Sequence, residues 1–438
     1  MHLVSSAQVD ALAEQLPPRG GLRVASIGVD FDPFDFARTG AALVDRAVAL
    51  ATPRGDRRVG LGTAWHAASS GSDRFTDLKT AIGELEDDAA TLFVGYSFLD
   101  EMRAGGLWSD YGAAEAFLPR IAIERIDGDA RLTVAIPPDE EPQPTLDLLA
   151  SMRHPEWRAV EDSGDHSIES HPAVSQWAGT VESAIKAIRA EDFAKVVLAR
   201  SVVVSSSEPV PILRVFRQLA RSYPQCFNFA WKSGGSVFMG ASPELLAEVD
   251  EGRFRSNPLA GSAPRGEGME DDDLIGNALM SSAKDQVEHQ LVVDDMKARL
   301  AGIVADLDVP AHPSLKKMAT VQHLSTVITG TVAPGMGVMD AVAAVHPTPA
   351  VGGVPRDVAI DYIASHEELD RGWYTGGVGW VTPSGDGEVA IALRCGLNNR
   401  ATTTLFAGAG IVGDSDPAAE VLETRLKLRP LLDLTATT

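Results

Sequence analysis

Two cysteines, Cys226 and Cys395, are all that the 438-residue chain contains. So few thiols, without metal-ligand spacing, exclude a disulfide framework and a cysteine-held metal centre, and they suit a reducing, cytoplasmic compartment. Runs of basic residues are missing too: 38 Lys and Arg face 61 Asp and Glu, a formal net charge of -23. A field of that sign repels polyanions, so neither nucleic acid nor an acidic membrane surface is an expected partner. No apolar run approaches the roughly 20 residues of a membrane-spanning helix. The start, Met1-His2-Leu3-Val4, lacks the charged-then-apolar build of a secretory signal. No internal repeat is present. Neither Gly376-Gly377-Val378-Gly379 nor Gly408-Ala409-Gly410 has dinucleotide or P-loop spacing, and Gly-x-Ser-x-Gly, His-Glu-x-x-His and Cys-x-x-Cys motifs are absent.

What remains is a globular chain whose 45% hydrophobic content is ample for a large core. Short β-like runs at 22–29, 90–95 and 120–125 mix with helical stretches up to about residue 131. Prolines and charges at 137–142 mark an exposed loop and a candidate boundary. From residue 175 the pattern predicts a helix over 181–188, a strand over 196–204, a helix over 211–222, and strands near 227–231 and 236–239. Residues 388–397 alternate, with Val389, Ile391, Leu393 and Cys395 on one face and Ala390, Ala392 and Arg394 on the other. This predicts one strand that turns at Asn398-Asn399 and returns along 402–406. An arginine among alanines leaves room for an anion; a solvated face or a structural ion pair would account for it equally well. In Ala407-Gly408-Ala409-Gly410, missing side chains allow a ligand close to the backbone. Asp416 is placed to cap a helix that has Pro417 in its first turn and is ended by Pro430.

Two helical segments each carry carboxylates three residues apart, Asp285 with Glu288 and Glu420 with Glu423. That spacing puts each pair on one helix face, so the fold could gather four carboxylates suited to magnesium rather than zinc. Ordinary solvated helix faces give the same spacing, with Glu423 paired to Lys427. Lys195 opens the apolar run Val196-Val197-Leu198-Ala199, where desolvation would favour a neutral amine able to act as a base; lysines at such places also snorkel to water. Glu244, in the turn Gly240-Ala241-Ser242-Pro243-Glu244, is a general acid if buried and an ordinary solvated carboxylate if not. His289 and His323 stand alone, which suits hydrogen-bonding or core roles.

Together, Lys195 to Arg200, the Glu244 turn, Pro258-Leu259-Ala260-Gly261-Ser262, the Asp285 segment, Gln322-His323-Leu324-Ser325, His346-Pro347-Thr348-Pro349-Ala350, the blocks around Tyr374 and Arg394, and the run from Phe406 to Lys427 resemble the chorismate-utilising enzymes. The resemblance covers roughly residues 175–432. It implies an α+β fold, a large antiparallel β-sandwich with helices packed outside, like anthranilate synthase component I. Residues 1–174 would complete that sandwich around a catalytic core at 175–432, in one structural domain. Within the family the chain is most similar to isochorismate synthases: Lys195 matches a lysine that the ammonia-using members lack, the His346 segment departs from their Pro-Ala-Gly-Thr, and no Leu-Leu-Glu-Ser block occurs. Salicylate synthase, which also eliminates pyruvate, and a non-catalytic chorismate-binding relative are the alternatives.

The resemblance implies Mg2+ held by Glu288 and Glu423, with Asp285 and Glu420 binding through water or shaping the shell. Asp285 replaces the glutamate that salicylate synthases share. It further implies chorismate binding by Gly261, Ser262, His323, Tyr374, Arg394, Gly408 and Lys427, water activation by Lys195, and protonation of the leaving hydroxyl by Glu244. No glutamine amidotransferase subunit is expected.

Overall fold

Along single strands, large and small apolar residues alternate, and this sorts the molecule into layers. Phe229 and Trp231 of the strand Phe227–Ser233 point into an aromatic core, whereas Ala230 between them joins the opposite cluster. Phe238 in Ser236–Ser242 and Phe406 in Thr402–Ile411 follow the aromatics, while Met239, Leu405 and Ala407 face away. A period of two on strands buried on both faces requires two sheets packed together and helices outside.

The computed structural model describes residues 2–18, 20–85, 90–103, 105–154 and 166–435. Among these, one sheet has twelve strands and a second has nine. The first runs Arg23–Val29, Asp129–Ile136, Ile121–Ile126, Arg57–Leu61, Arg46–Ala51, Phe227–Ser233, Ser236–Ser242, Cys395–Asn399, Thr402–Ile411, Lys195–Ser206 and Gly353–Val354, with His166–His171 also paired to Lys195–Ser206. In the second, the order is Val304–Asp308, Ile328–Val332, Arg253–Asn257, Leu245–Asp250, Gly387–Ile391, Gly377–Val381, Leu92–Tyr96, Ala114–Leu118 and Trp65–Ser69. A third, three-stranded sheet orders Leu259–Pro264, Val321–Ser325 and Ser314–Lys317. All pairings are antiparallel, in agreement with the expected fold class. The early strands do not stand apart: Arg46–Ala51 pairs with Phe227–Ser233, and Leu92–Tyr96 with Gly377–Val381.

Three expectations need correction. Residues 388–397 are not one strand. Gly387–Ile391 belongs to the nine-stranded sheet and Cys395–Asn399 to the twelve-stranded one. Ala392 to Arg394 crosses between them, and Arg394 takes a left-handed backbone with φ 49°. The alternation persists across the break because both sheets bury apolar side chains. Nor does Pro430 end its helix, which runs as Pro417–Thr435. Proline removes one intrahelical hydrogen bond, but Leu428, Pro430 and Leu431 are buried against the outer face of the twelve-stranded sheet, and that packing carries the helix on. The hairpin forms, but its turn is Arg400-Ala401, with Arg400 at φ 55°; Asn398 and Asn399 are strand residues opposite Thr403 and Thr402, and Asn398 Nδ2 braces the turn from the strand by donating to the Arg400 carbonyl at 3.0 Å. The Asp416 cap is as expected: Ala419 N donates to Asp416 Oδ1 at 2.8 Å.

Candidate active site

Paired strands leave one sheet for another at three places, and the site lies between them. Pro243 and Glu244 link Ser236–Ser242 of the twelve-stranded sheet to Leu245–Asp250 of the nine-stranded one. Beside them Ala392 to Arg394 makes the return crossing. Asn257 to Leu259, with Ser325 to Ile328, carries the chain into and out of the three-stranded sheet. A cleft opens there, lined by Glu244, Gly261, Ser262, Glu288, His323, Tyr374, Arg394, Gly408, Glu423 and Lys427. Ten of the residues singled out in the sequence therefore converge on one cavity.

Glu244 is buried, with its backbone carbonyl bonded to Ile391 N at 3.2 Å and Oε1 accepting from Leu259 N at 3.4 Å. Burial pushes its pKa up to about 7, against the pull of the Leu259 N–H and the cations Lys195, Lys316 and Arg394. A carboxyl so tuned holds a proton at neutral pH and can give it away. His323 is neutral, because burial and the charges of Arg394 and Lys427 push its pKa well below the imidazole range. Arg394 Nη2 lies 3.3 Å from His323 Nε2, and a guanidinium only donates, so Nε2 accepts. The ring hydrogen then sits on Nδ1, 3.2 Å from Gly261 O and 3.0 Å from Ser262 Oγ. One imidazole thus ties the arginine to the Gly261 turn. Tyr374 stacks on Phe406 at 5.3 Å between centroids, and burial raises its phenol pKa so that it remains a neutral donor.

Carboxylates and lysines interleave at the opposite end. The helices Ala283–Leu300 and Pro417–Thr435 each present their acids on one face, as the spacing of three predicts. Fully buried Lys195 places Nζ 3.1 Å from Glu288 Oε1, an ion pair without hydrogen-bond alignment. Lys427 bridges Glu423 Oε1 at 2.5 Å and the Gly408 carbonyl at 3.0 Å. Burial would raise the Glu423 pKa, yet Lys427, Lys284 and Arg394 outweigh it and hold it below the usual carboxylate value. Glu420 and Asp285 stand behind this layer, outside the cleft lining. Glu420 is buried on Lys284 at 2.9 Å, and Asp285 accepts from its helix cap Ser282. Burial raises both their pKa values, aided by the charge of Glu423 on each and of Glu288 on Asp285. All four are hard oxygen donors under mutual repulsion, which suits a divalent cation. They are not a preformed cage: among the described residues no three His, Cys, Asp or Glu are grouped closely enough to hold a metal.

Glycines make these approaches possible. A Cβ on Gly410 would meet Glu288 Oε1 at 2.4 Å and Lys195 Cε at 3.1 Å, so only glycine admits this ion pair across the strand. Gly261 has φ 72°, and its missing side chain faces Asp285.

The sequence model described as chorismate binding enzyme matches residues 22–436. The chain belongs to the chorismate-binding enzyme family. It is 34% identical over 347 residues to the isochorismate synthase MenF of Bacillus subtilis, covering 78% of this chain and 74% of that one. To the salicylate biosynthesis isochorismate synthase of Pseudomonas aeruginosa it is 41% identical over 276 residues, 63% of this chain but only 57% of that protein. The solved structure of MenF, the menaquinone-specific isochorismate synthase of Escherichia coli, superposes with a TM-score of 0.84 at 25% identity, over 97% and 98% of the two chains. Anthranilate synthase component I of Streptococcus pneumoniae, at 21% identity and TM-score 0.73 over 86% and 92%, shares the fold. Lining residues of this family member that the sequence did not single out include Val197, Val351, Thr375 and Leu393. Thr375 has φ 64°, a backbone state with no signal in its residue type. Arg371 is another residue that the sequence did not single out: buried, it bonds Glu367 and the carbonyls of Val197 and Val351, holding two cleft walls together.

Proposed function

We propose that this chorismate-binding enzyme is an isochorismate synthase, converting chorismate reversibly to isochorismate for menaquinone or siderophore synthesis in the cytoplasm. One observation carries the reading: a buried carboxyl poised to hold its proton near pH 7 lines a cleft with the cations a dianion needs, and fully buried Lys195, itself outside the lining, pairs at 3.1 Å with the lining carboxylate Glu288. The relatives named as isochorismate synthases support it. Arg394, Lys427, Tyr374 and the His323–Ser262–Gly261 chain bind and orient the two substrate carboxylates; a guanidinium suits this through paired hydrogen bonds. Glu288 and Glu423, backed by Asp285 and Glu420, would hold a magnesium ion, which supplies Lewis-acid stabilisation of a substrate carboxylate. Lys195, when neutral, takes a proton from water as its oxygen bonds to C2. The ring double bonds shift, the C4–O bond breaks, and Glu244 gives its proton to the departing hydroxyl. One water enters and one leaves, so the product is an isomer.

Residues 1–174 complete the sandwich around the catalytic core 175–432; the strand pairs between Arg46–Ala51 and Phe227–Ser233, and between Leu92–Tyr96 and Gly377–Val381, support that division of labour. No amidotransferase subunit is required, because water rather than ammonia is the nucleophile.

The test is incubation with chorismate and magnesium, followed by chromatographic separation of isochorismate, salicylate and pyruvate. Isochorismate alone is expected, and a chelator should abolish it without unfolding the protein. Stoichiometric pyruvate, or full activity in chelator, would refute the assignment.

A further inference from the structure

The three-stranded sheet carries a row of three polar residues. Ser262 opposes His323 across one pair of strands, and His323 opposes Lys316 across the other. Directly opposed residues in antiparallel strands project from the same face. Ser262 and His323 line the cleft, whereas Lys316 has no part in the reaction above. Its ammonium leaves the small sheet and donates to the Pro243 carbonyl at 2.8 Å, at the residue just before Glu244. Its neighbour Lys317 instead pairs with Asp272 and Asp273 at 2.9 and 2.8 Å.

We propose that Lys316 is a positioning residue for the catalytic acid, fixing the Pro243–Glu244 turn against the three-stranded sheet and placing a positive charge beside the carboxyl. The inference rests on Glu244 being the acid. Three cations from three segments face that carboxyl: Lys195 from the first strand of the core, Arg394 from the crossing, and Lys316 from the small sheet. Lys316 itself faces Glu244, Arg255 and the thiol of Cys226, which burial pushes up to about 12 and keeps neutral. A fixed cation favours the carboxylate that proton donation leaves behind, so it eases release of the proton to the hydroxyl. Lys195 and Arg394 are committed to water and substrate; Lys316 is free to tune the acid alone.

The experiment uses the full chain with magnesium and compares Lys316→Met, Lys316→Gln and Lys316→Arg with wild type. The infrared band of the protonated Glu244 carboxyl, identified by its loss in Glu244→Gln, is titrated alongside turnover. Methionine at this position should lower kcat about tenfold with little change in KM. The carboxyl midpoint should rise by about half a pH unit or more once the cation is gone. Glutamine keeps a donor for the Pro243 carbonyl without the charge, so it should show the raised midpoint even if the methionine variant fails to fold. Arginine should restore the wild-type midpoint. An unchanged midpoint in the uncharged variants overturns the role of Lys316, whereas wild-type turnover by Glu244→Gln overturns the assignment of the acid itself.

Discussion

Lys195 is fully buried and faces a carboxylate across a strand that only a glycine, Gly410, leaves open. The proposed base therefore also touches the Glu288 carboxylate proposed to hold the metal. Lys195→Gln keeps much of the volume and a polar tip but removes the base. We expect turnover to fall by roughly 10²–10⁴-fold, the usual loss on removing a general base, with chorismate binding nearly unchanged. Isochorismate formation and equilibrium binding of chorismate, measured on the same variant, check this; near-normal turnover would make Lys195 structural. The position of this lysine at the head of an apolar run was visible in the chain. Its partner was not, since Glu288 and Gly410 lie 93 and 215 positions further on.

Two strands that end at the site carry a second electrostatic feature at their far ends. Leu245–Asp250 follows Glu244, Gly387–Ile391 precedes Arg394, and between them Glu248 directly opposes Glu388. Both carboxyls are buried. Glu248 takes Arg54 and, at 3.7 Å, Arg255. Burial first, and the charge of Glu248 second, push the Glu388 pKa up to about 7, while Arg54 and Arg58 oppose the rise. Between the ordinary glutamate value of 4.5 and about 7 the folded protein thus keeps a proton that the unfolded chain releases. The contribution of this carboxyl to stability falls as pH rises through that window and levels off above it. The upper bound of the loss is about 3 kcal/mol. Urea unfolding at pH 5 and pH 8 should show Glu388→Gln with a weaker pH dependence than wild type and greater relative stability at pH 8. An identical slope in both proteins would place the titration elsewhere.

Neither large sheet is complete without both ends of the chain. The strand Phe227–Ser233 is covered on one side by Arg46–Ala51, and Gly377–Val381 by Leu92–Tyr96. A fragment beginning at residue 175 would bare two long edges rich in apolar residues, which invite aggregation. It should be insoluble or inactive when made alone, even though it holds every proposed catalytic residue. Co-production with a 1–174 fragment should restore isochorismate formation; a soluble, active 175–438 fragment would show that the early strands are dispensable. Among the described residues no helix is long and apolar enough to cross a membrane.

The chain by itself determined the local order: which stretches are strands or helices, that acids three apart share a helix face, that Asp416 caps its helix and a hairpin joins 395–399 to 402–406, and, through its ordered blocks, the family. These depend on interactions within a few residues, which periodicity and residue type encode directly. Tertiary structure alone decided that residues 388–397 cross between sheets with Arg394 in a left-handed state, that Pro430 lies within its helix, and that Lys316 reaches the turn before Glu244. It also separated Glu288 and Glu423, which line the cleft, from Asp285 and Glu420 behind them. Each of these outcomes turns on a neighbour supplied from a distant segment, and the energy of burial or ion pairing that selects it does not exist until the sheets are assembled.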